Sequence, residues 1–431
     1  MQVSPAKALI GTVNLPADKS ISHRAALLAA IAEGTTVMHN YAASEDCAAT
    51  LGCIEALGAK IERDGARVTV SGRGKDGLTA PSQPLDCGNS GTTMRLISGI
   101  LAGQPFTSML IGDASLQSRP MRRIMEPLGE MGVAIDSNDG KAPLTINGHR
   151  PLTAIHYDMP MSSAQVKSCV LLAGLFADGE TDVTEYVATR DHTERMLAWF
   201  GVHVLERQGD GGGTIISVND PATLIARDIV VPGDVSAAAF FLVAAACKPG
   251  SDLTLPNVGV NPTRRAIVDL LLGLGADIDI ADEHNNCNEP SGTLRIRGGL
   301  RPQERTVTIR GEKTARLIDE IPILAVLGTQ LEHGLEVHDA AELRVKESDR
   351  IATVVENLRR MGANVEEYDD GFRVHRSDLH GAAVDSHGDH RIAMAFGIAG
   401  LLAEGETAIH DAQCAAVSFP NFFETLHEVS Q

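Results

Sequence analysis

The sequence predicts an α/β protein of two domains. It is built from six repeated units of strand, helix, strand, helix, strand, strand, with three units in each domain. Three observations predict this. A length of 431 residues corresponds to two or three domains at about 100–200 residues each. One segment type recurs: a helix-like stretch, a glycine, then strand-like residues, with marker glycines Gly58, Gly132, Gly201, Gly275 and Gly362 roughly 70–90 residues apart. A second type recurs six times, a short polar cluster that opens a helix rich in Ala, Leu and Gly.

Taken in chain order, segment 6–15 reads as a strand. The sixth unit breaks off after FFETLHEV without its final strands, and 6–15 is expected to supply one. The polar-start helices are expected within 18–34, 88–103, 162–179, 233–250, 319–334 and 388–405. They are apolar on most faces, so each should be buried among strands rather than lie on the surface. Each marker glycine fits the position just past a helix end, where positive φ favours a residue without Cβ. The strand pairs that follow, such as IERDGARVTV at 61–70, often carry a glycine-containing turn, which is the hairpin signature.

Hydrophobic residues make up 43% and charged residues 22% of the chain, a profile that excludes disorder, collagen and coiled coil. The 37 Lys and Arg against 56 Asp and Glu leave a formal charge of −19, which repels nucleic acid and anionic membranes. The N-terminus MQVSPAKALIGTV lacks the pattern of a signal peptide. The apolar run Ala237–Cys247 is too short to span a membrane. Seven cysteines with no CxxC pair read as buried, reduced thiols of a cytosolic protein. HGDH at 387–390 has no second ligand cluster at usable spacing, so no metal is expected.

The chemistry-bearing residues gather at the helix starts, where unpaired N–H groups and a partial positive charge suit phosphate or carboxylate. The first cluster is Asp18-Lys19-Ser20-Ile21-Ser22-His23-Arg24; its Lys and Arg suit an oxyanion. The second, Gly88-Asn89-Ser90-Gly91-Thr92-Thr93-Met94-Arg95, uses small residues that let an anion approach the backbone. It is neither a Walker motif nor a GxGxxG turn. Ser162-Ser163-Ala164-Gln165-Val166-Lys167 caps a third helix. In LIDEIPI, Asp319 is an acid in an apolar setting and a candidate proton acceptor. RVKESDR brings Lys346, Glu347 and Arg350 close together, and Asp389-His390-Arg391 opens the last helix. Read alone, each cluster also has a plain reading as a helix cap or a surface charge run. Six of them in one repeat architecture predict helix N-termini converging on an interdomain cleft, a local positive field for small, multiply anionic ligands.

LPADKSISHR (15–24), GNSGTTMR (88–95), GDASLQSRPM (112–121), ELRVKESDR (342–350) and DHRIAM (389–394) resemble the 5-enolpyruvylshikimate-3-phosphate synthase family over essentially the whole chain. SSAQVKSCVLLAGL and TRDHTE are similar to its class II branch. The resemblance implies two domains of three βαβαββ units each, with parallel buried helices whose N-termini face the cleft. It implies one discontinuous domain of 1–17 and 233–431, and an inserted domain of 18–232. The implied reaction transfers the enolpyruvyl group of phosphoenolpyruvate to the 5-hydroxyl of shikimate 3-phosphate and releases phosphate, without metal or organic cofactor. A cytoplasmic monomer is expected, with small-molecule substrates and neither nucleic acid nor membrane as partner.

By the same resemblance, Lys19 contacts both substrates, and Ser20 and Arg24 hold shikimate 3-phosphate. Ser163, Ala164, Gln165 and Arg190 add to that site, with Gln165 also reaching phosphoenolpyruvate. Gly91, Arg119, Arg350 and Arg391 hold phosphoenolpyruvate, with Thr92 and Arg95 close by. Asp319 takes the 5-hydroxyl proton beside Lys346, and Glu347 handles the proton at the methylene carbon. Many members carry a Lys before the C-terminal Phe-Pro, where VSFPNFF here has Ser418. Gly91 implies sensitivity to glyphosate. A sister family acting on UDP-N-acetylglucosamine carries a Cys in the loop that here reads GDASLQSRP, without one. A non-catalytic anion binder on the same fold would have lost Asp319 or Glu347.

Overall fold

A computed structural model describes residues 1–219 and 223–430. Residues 220–222 and 431 fall within the predicted domain spans and lie outside the described residues. The chain divides into two compact units, one of Met1–Pro16, Pro232–His284 and Pro290–Gln431, the other of Ala17–Val231 and Asn285–Glu289. The crossings fall one residue earlier than the sequence reading placed them. Segment 285–289, the turn between strands Asp277–Asn286 and Glu289–Arg297, groups with the inserted unit. Side-chain bonds explain that: Arg195 donates to the Asn288 carbonyl at 2.8 Å, and His192 Nδ1 lies 2.7 Å from Glu289 Oε1.

Each unit carries three small sheets. In the inserted unit, Leu85–Asp86 runs parallel to Thr107–Ile111, which pairs antiparallel with Lys141–Asn147, itself flanked by Ala134–Asn138. The helix Gly91–Ala102 links the parallel pair. His156–Asp158, helix Ala164–Gly174 and Thr181–Glu185 repeat the arrangement. In the first sheet the parallel partner of Thr35–His39 is Ile229–Val230, from the far end of the unit. A parallel pair needs a crossover and cannot close by a tight turn.

The discontinuous unit follows the same scheme and corrects one expectation. The strand in segment 6–15, Ile10–Thr12, pairs parallel with Asp252–Gly259 and so completes the fourth sheet. The sixth sheet is completed instead by Gln2–Val3, antiparallel to Thr407–His410 and giving three strands where the others have four. Chain crossing explains the exchange. The strand that should open unit four lies before the insertion, just as the strand that should open unit one lies at its end.

The polar-start helices are buried as their composition requires. Helix Val235–Cys247 is buried from Val235 to Ala246, and His390–Leu402 from Ile392 to Leu401. Helices Gly91–Ala102 and Ala164–Gly174 touch at Gly99, where a Cβ would collide with the Cys169 carbonyl oxygen. Asp18, Ser90, Ser163, Asp234 and Asp389 each cap their helix by accepting a backbone N–H. The marker glycines all have φ between +84° and +97° directly after a surface helix, where only glycine avoids strain. Five of the seven thiols are buried, and burial pushes Cys47 and Cys169 up to about 12, which makes them inert.

Candidate active site

Within the inserted unit, three helix starts place the expected anion-binding side chains. Helix Lys19–Ile31 begins at the Asp18 cap, so Lys19, Ser20 and Arg24 occupy its first two turns. Lys19 Nζ lies 2.7 Å from Asp46, at the start of helix Glu45–Ala56. Arg24 is 4% exposed and fully engaged: Nε donates to Thr193 Oγ1 at 2.7 Å, Nη2 to Ser168 Oγ at 2.8 Å and Nη1 to the Ser20 carbonyl at 2.9 Å. Burial lowers Arg24 to about 10, so it stays a cation at neutral pH. His23 is pushed down to about 3, also by burial, and adds no charge there.

The second and third helix starts interlock. Gln165 Nε2 donates to Thr92 Oγ1 at 2.9 Å, and Arg95 Nη1 donates to Gln165 Oε1 at 2.7 Å. Arg95 also donates to the Pro120 carbonyl at 3.2 Å, next to Arg119. Arg119 is 8% exposed, and its Nη2 donates to Asn89 Oδ1 at 2.7 Å. Gly91 lies against these arginines: a Cβ there would stand 2.8 Å from Arg95 Nη1 and 3.6 Å from Arg119 Nη1. Arg190 lies in the irregular stretch between strand Thr181–Glu185 and helix His192–Trp199, near enough to Arg24 for the two cations to repel.

Within the discontinuous unit, Arg350 is the centre. It opens helix Arg350–Arg360 and is 1% exposed. RVKESDR is therefore no solvated charge run, at least at its last residue. Arg350 Nε donates to Asp389 Oδ2 at 2.7 Å and Nη2 to Glu347 Oε2 at 2.6 Å. Its Nη1 makes no hydrogen bond among the described residues and stands 3.7 Å from Asp319 Oδ1. Burial opposes the charge of Arg350, but Asp389, Glu347 and Asp319 together outweigh it and hold the guanidinium protonated. Asp389 is likewise held below the usual carboxylate range: burial works against it, and Arg350 prevails.

Arg391 flanks Asp319 on another side, with Nη2 at 3.7 Å from Oδ2 and Nη1 donating to the Asp319 carbonyl at 3.0 Å. Asp319 itself precedes helix Ile321–Gln330 by two residues and so stands outside its first turn. Lys346 ends the short 3₁₀ turn Ala341–Val345 and donates to Glu342 at 2.9 Å. Ser418 Oγ is buried without a hydrogen-bond partner among the described residues.

One expectation needs amending. The cations do not form a bare positive field, because Lys19, Lys346 and Arg350 each hold a carboxylate. Buried or half-buried charge is costly unless paired, so the partners are part of the site. Sequence reasoning gives Asp46, Asn89, Thr193 and Asp389 no role as partners of these cations. Asn89, Thr193 and Asp389 stand within GNSGTTMR, TRDHTE and DHRIAM, whereas Asp46 lies outside every motif. Among the described residues no group of three or more His, Cys, Asp or Glu is arranged to hold a metal ion.

In chemical terms the two units present guanidinium and ammonium groups for anions, and two carboxylates, Asp319 and Glu347, beside a buried guanidinium for proton transfer. A family model described as EPSP synthase (3-phosphoshikimate 1-carboxyvinyltransferase) matches residues 3–426. The chain is 49% identical to the 3-phosphoshikimate 1-carboxyvinyltransferase of Solibacter usitatus over 437 residues, covering 100% of this chain and 99% of the relative. It is 51% identical to that of Koribacter versatilis over 432 residues, with the same coverage. Among solved structures, the EPSP synthase of Acinetobacter baumannii superposes with a TM-score of 0.87 at 42% identity, covering 100% of this chain and 98% of that one. The enolpyruvyl transferase NikO of Streptomyces tendae gives 0.78 at 17% identity, covering 99% and 96%, and shares the fold.

Proposed function

The chain belongs to the EPSP synthase family, and on that premise we propose that it transfers the enolpyruvyl group of phosphoenolpyruvate to the 5-hydroxyl of shikimate 3-phosphate, with release of phosphate. The observation that carries this reading is the full-length relationship; Asp319 and Glu347 beside the buried Arg350 guanidinium support it. The protein acts as a cytoplasmic monomer on two small anions. A net charge of −19 argues against nucleic acid, and among the described residues no helix is long and apolar enough to cross a membrane.

Lys19, Ser20, Arg24, Ser163, Ala164, Gln165, Arg190, Asp319 and Lys346 hold shikimate 3-phosphate. Phosphoenolpyruvate is held by Lys19, Gly91, Thr92, Arg119 and Gln165, together with Arg350 and Arg391. Paired cations hold two mutually repelling anions in reacting geometry, an entropic contribution that can reach about 7–11 kcal/mol of a barrier. Asp319 accepts the proton of the 5-hydroxyl as its oxygen attacks C2 of phosphoenolpyruvate. In the same addition the methylene carbon C3 takes its proton from the protonated Glu347 carboxyl, leaving it ionised. The tetrahedral adduct then returns a C3 proton to Glu347 and breaks its C2–O bond to phosphate, which leaves with the proton held by Asp319. A group beside C3 must give and take a proton in turn, and Glu347 is tethered by Arg350 for that purpose.

Continuous measurement of phosphate release tests this. Release is expected only with both phosphoenolpyruvate and shikimate 3-phosphate present. Tight binding of both without release would make the protein an anion binder and remove the reading.

A further inference from the structure

Lys167 is a charged residue that the reaction above does not use, and its side chain is 0% exposed. Its Nζ lies 3.1 Å from the Glu185 carboxylate and 2.6 Å from Glu194 Oε1. A buried ion cluster is a weak source of stability, since apolar residues of similar volume often do as well or better. Its placement offers a better account. Glu185 ends strand Thr181–Glu185, and its Oε2 accepts both the Thr189 backbone N–H, at 3.0 Å, and the Thr189 hydroxyl, at 2.7 Å. Thr189 directly precedes Arg190, in a stretch without regular structure whose first residue, Tyr186, is 59% exposed.

The other arm of the cluster leads to Arg24. Glu194 and Thr193 are neighbours at the start of helix His192–Trp199, and Lys167 and Ser168 are neighbours in helix Ala164–Gly174. Thr193 and Ser168 are the side chains to which Arg24 donates, and their hydroxyls lie 2.6 Å apart. Lys167 thus sits where the supports of Arg190 and of Arg24 meet. The same helix carries Ser163, Ala164 and Gln165 at its start.

We propose that Lys167, with Glu185 and Thr189, is a positioning unit that holds Arg24 and Arg190 for the 3-phosphate of shikimate 3-phosphate. Two like-charged guanidiniums near each other separate unless held; Thr193 and Ser168 hold Arg24, and Glu185 holds the backbone just before Arg190 through Thr189. The proposal rests on the transferase reading above.

The test uses Thr189→Val and Glu185→Gln in the full chain. Shikimate 3-phosphate binding is followed by isothermal titration calorimetry, and KM for each substrate by phosphate release. Thr189→Val removes one hydroxyl from a half-buried site and leaves the ion cluster whole, so folding is not at stake. Losing one hydrogen bond to a charged group should weaken shikimate 3-phosphate binding roughly 10–100-fold. Glu185→Gln should weaken it at least as much, while KM for phosphoenolpyruvate stays within about twofold and kcat changes less than KM for shikimate 3-phosphate. Equal effects on both substrates, or an unchanged affinity for shikimate 3-phosphate in both variants, would overturn the proposal. Failure of the wild-type protein to bind shikimate 3-phosphate would instead overturn the reading beneath it, which the titration of wild type alone reveals.

Discussion

Replacing Asp389 by Asn keeps shape and volume but removes the charge that holds Arg350. Asp389 is 0% exposed, and its two oxygens carry separate duties. Oδ2 accepts from Arg350 Nε at 2.7 Å and from Ser348 Oγ at 3.1 Å. Oδ1 accepts the Arg391 backbone N–H at 2.9 Å, the cap of the last buried helix, and weakly from Arg350 Nη2 at 3.3 Å. Asn can fill only one role. If its oxygen keeps the cap, its NH₂ faces the donors of Arg350 and Ser348. If it turns around, the cap is lost at about 1 kcal/mol and Arg350 still loses its counter-charge. Uncoupling a buried pair from one side costs about 3–5 kcal/mol. Glu347 still accepts from Arg350, so the lower end applies, about 3 kcal/mol in urea unfolding.

Arg350 should also swing from the position in which it is proposed to bind phosphoenolpyruvate. A charged hydrogen bond of about 1.5–3 kcal/mol corresponds to roughly a 10–100-fold higher KM. The assay is phosphate release with phosphoenolpyruvate varied at saturating shikimate 3-phosphate. Asp389 is depressed in the folded state from an ordinary value of 3.8. Its contribution is therefore complete above that value and lost as pH falls below it towards the folded value. Wild type should lose the difference from Asp389→Asn in that acid range. Stability within about 0.5 kcal/mol of wild type at neutral pH, with an unchanged KM, would mean that Asp389 does not hold Arg350 in place.

Asp319→Ala should lower kcat about 10²–10⁴-fold, the usual contribution of a general base. Binding of phosphoenolpyruvate should survive, because the lost carboxylate stood beside two guanidiniums; retained turnover would take Asp319 out of its role. Glyphosate should inhibit the wild-type protein competitively with phosphoenolpyruvate. In Gly91→Ala the Cβ would press on Arg95, displace its bond to Gln165, weaken glyphosate inhibition and raise KM for phosphoenolpyruvate about fivefold, the worth of roughly one hydrogen bond. Inhibition unchanged in the variant would contradict this. Ser418→Ala removes a buried hydroxyl that has no hydrogen-bond partner among the described residues, so urea unfolding should show stability unchanged or raised by up to about 1 kcal/mol. A clear loss would mean that the hydroxyl has a role the structure does not display.

The repeat was legible because its signals are local. Positive φ after a helix demands glycine, and Gly58, Gly132, Gly201, Gly275 and Gly362 meet that demand wherever the rest of the chain lies. Burial of Val235–Cys247 follows from composition alone. The polar helix starts were visible for the same reason, since a cap needs only the next three residues. What escaped was pairing at a distance: Lys19 with Asp46 lies 27 residues apart, Arg119 with Asn89 30, and Arg350 with Asp389 39. No periodicity links such positions, and only the tertiary fold brings them together. The swap of Ile10–Thr12 and Gln2–Val3 between sheets escaped likewise, because two short strands of similar composition can be told apart only by where the chain crosses.

In the proposed reaction, phosphate leaves by carbon–oxygen cleavage after addition at C2, and not by phosphoryl transfer. Phosphoenolpyruvate labelled with ¹⁸O in the bridging position, turned over with shikimate 3-phosphate and analysed by mass spectrometry, tests it most directly. The account requires that all the label leave with inorganic phosphate and that the product ether oxygen, from the 5-hydroxyl, be unlabelled. Label retained in pyruvate, with phosphate free of it, would contradict it.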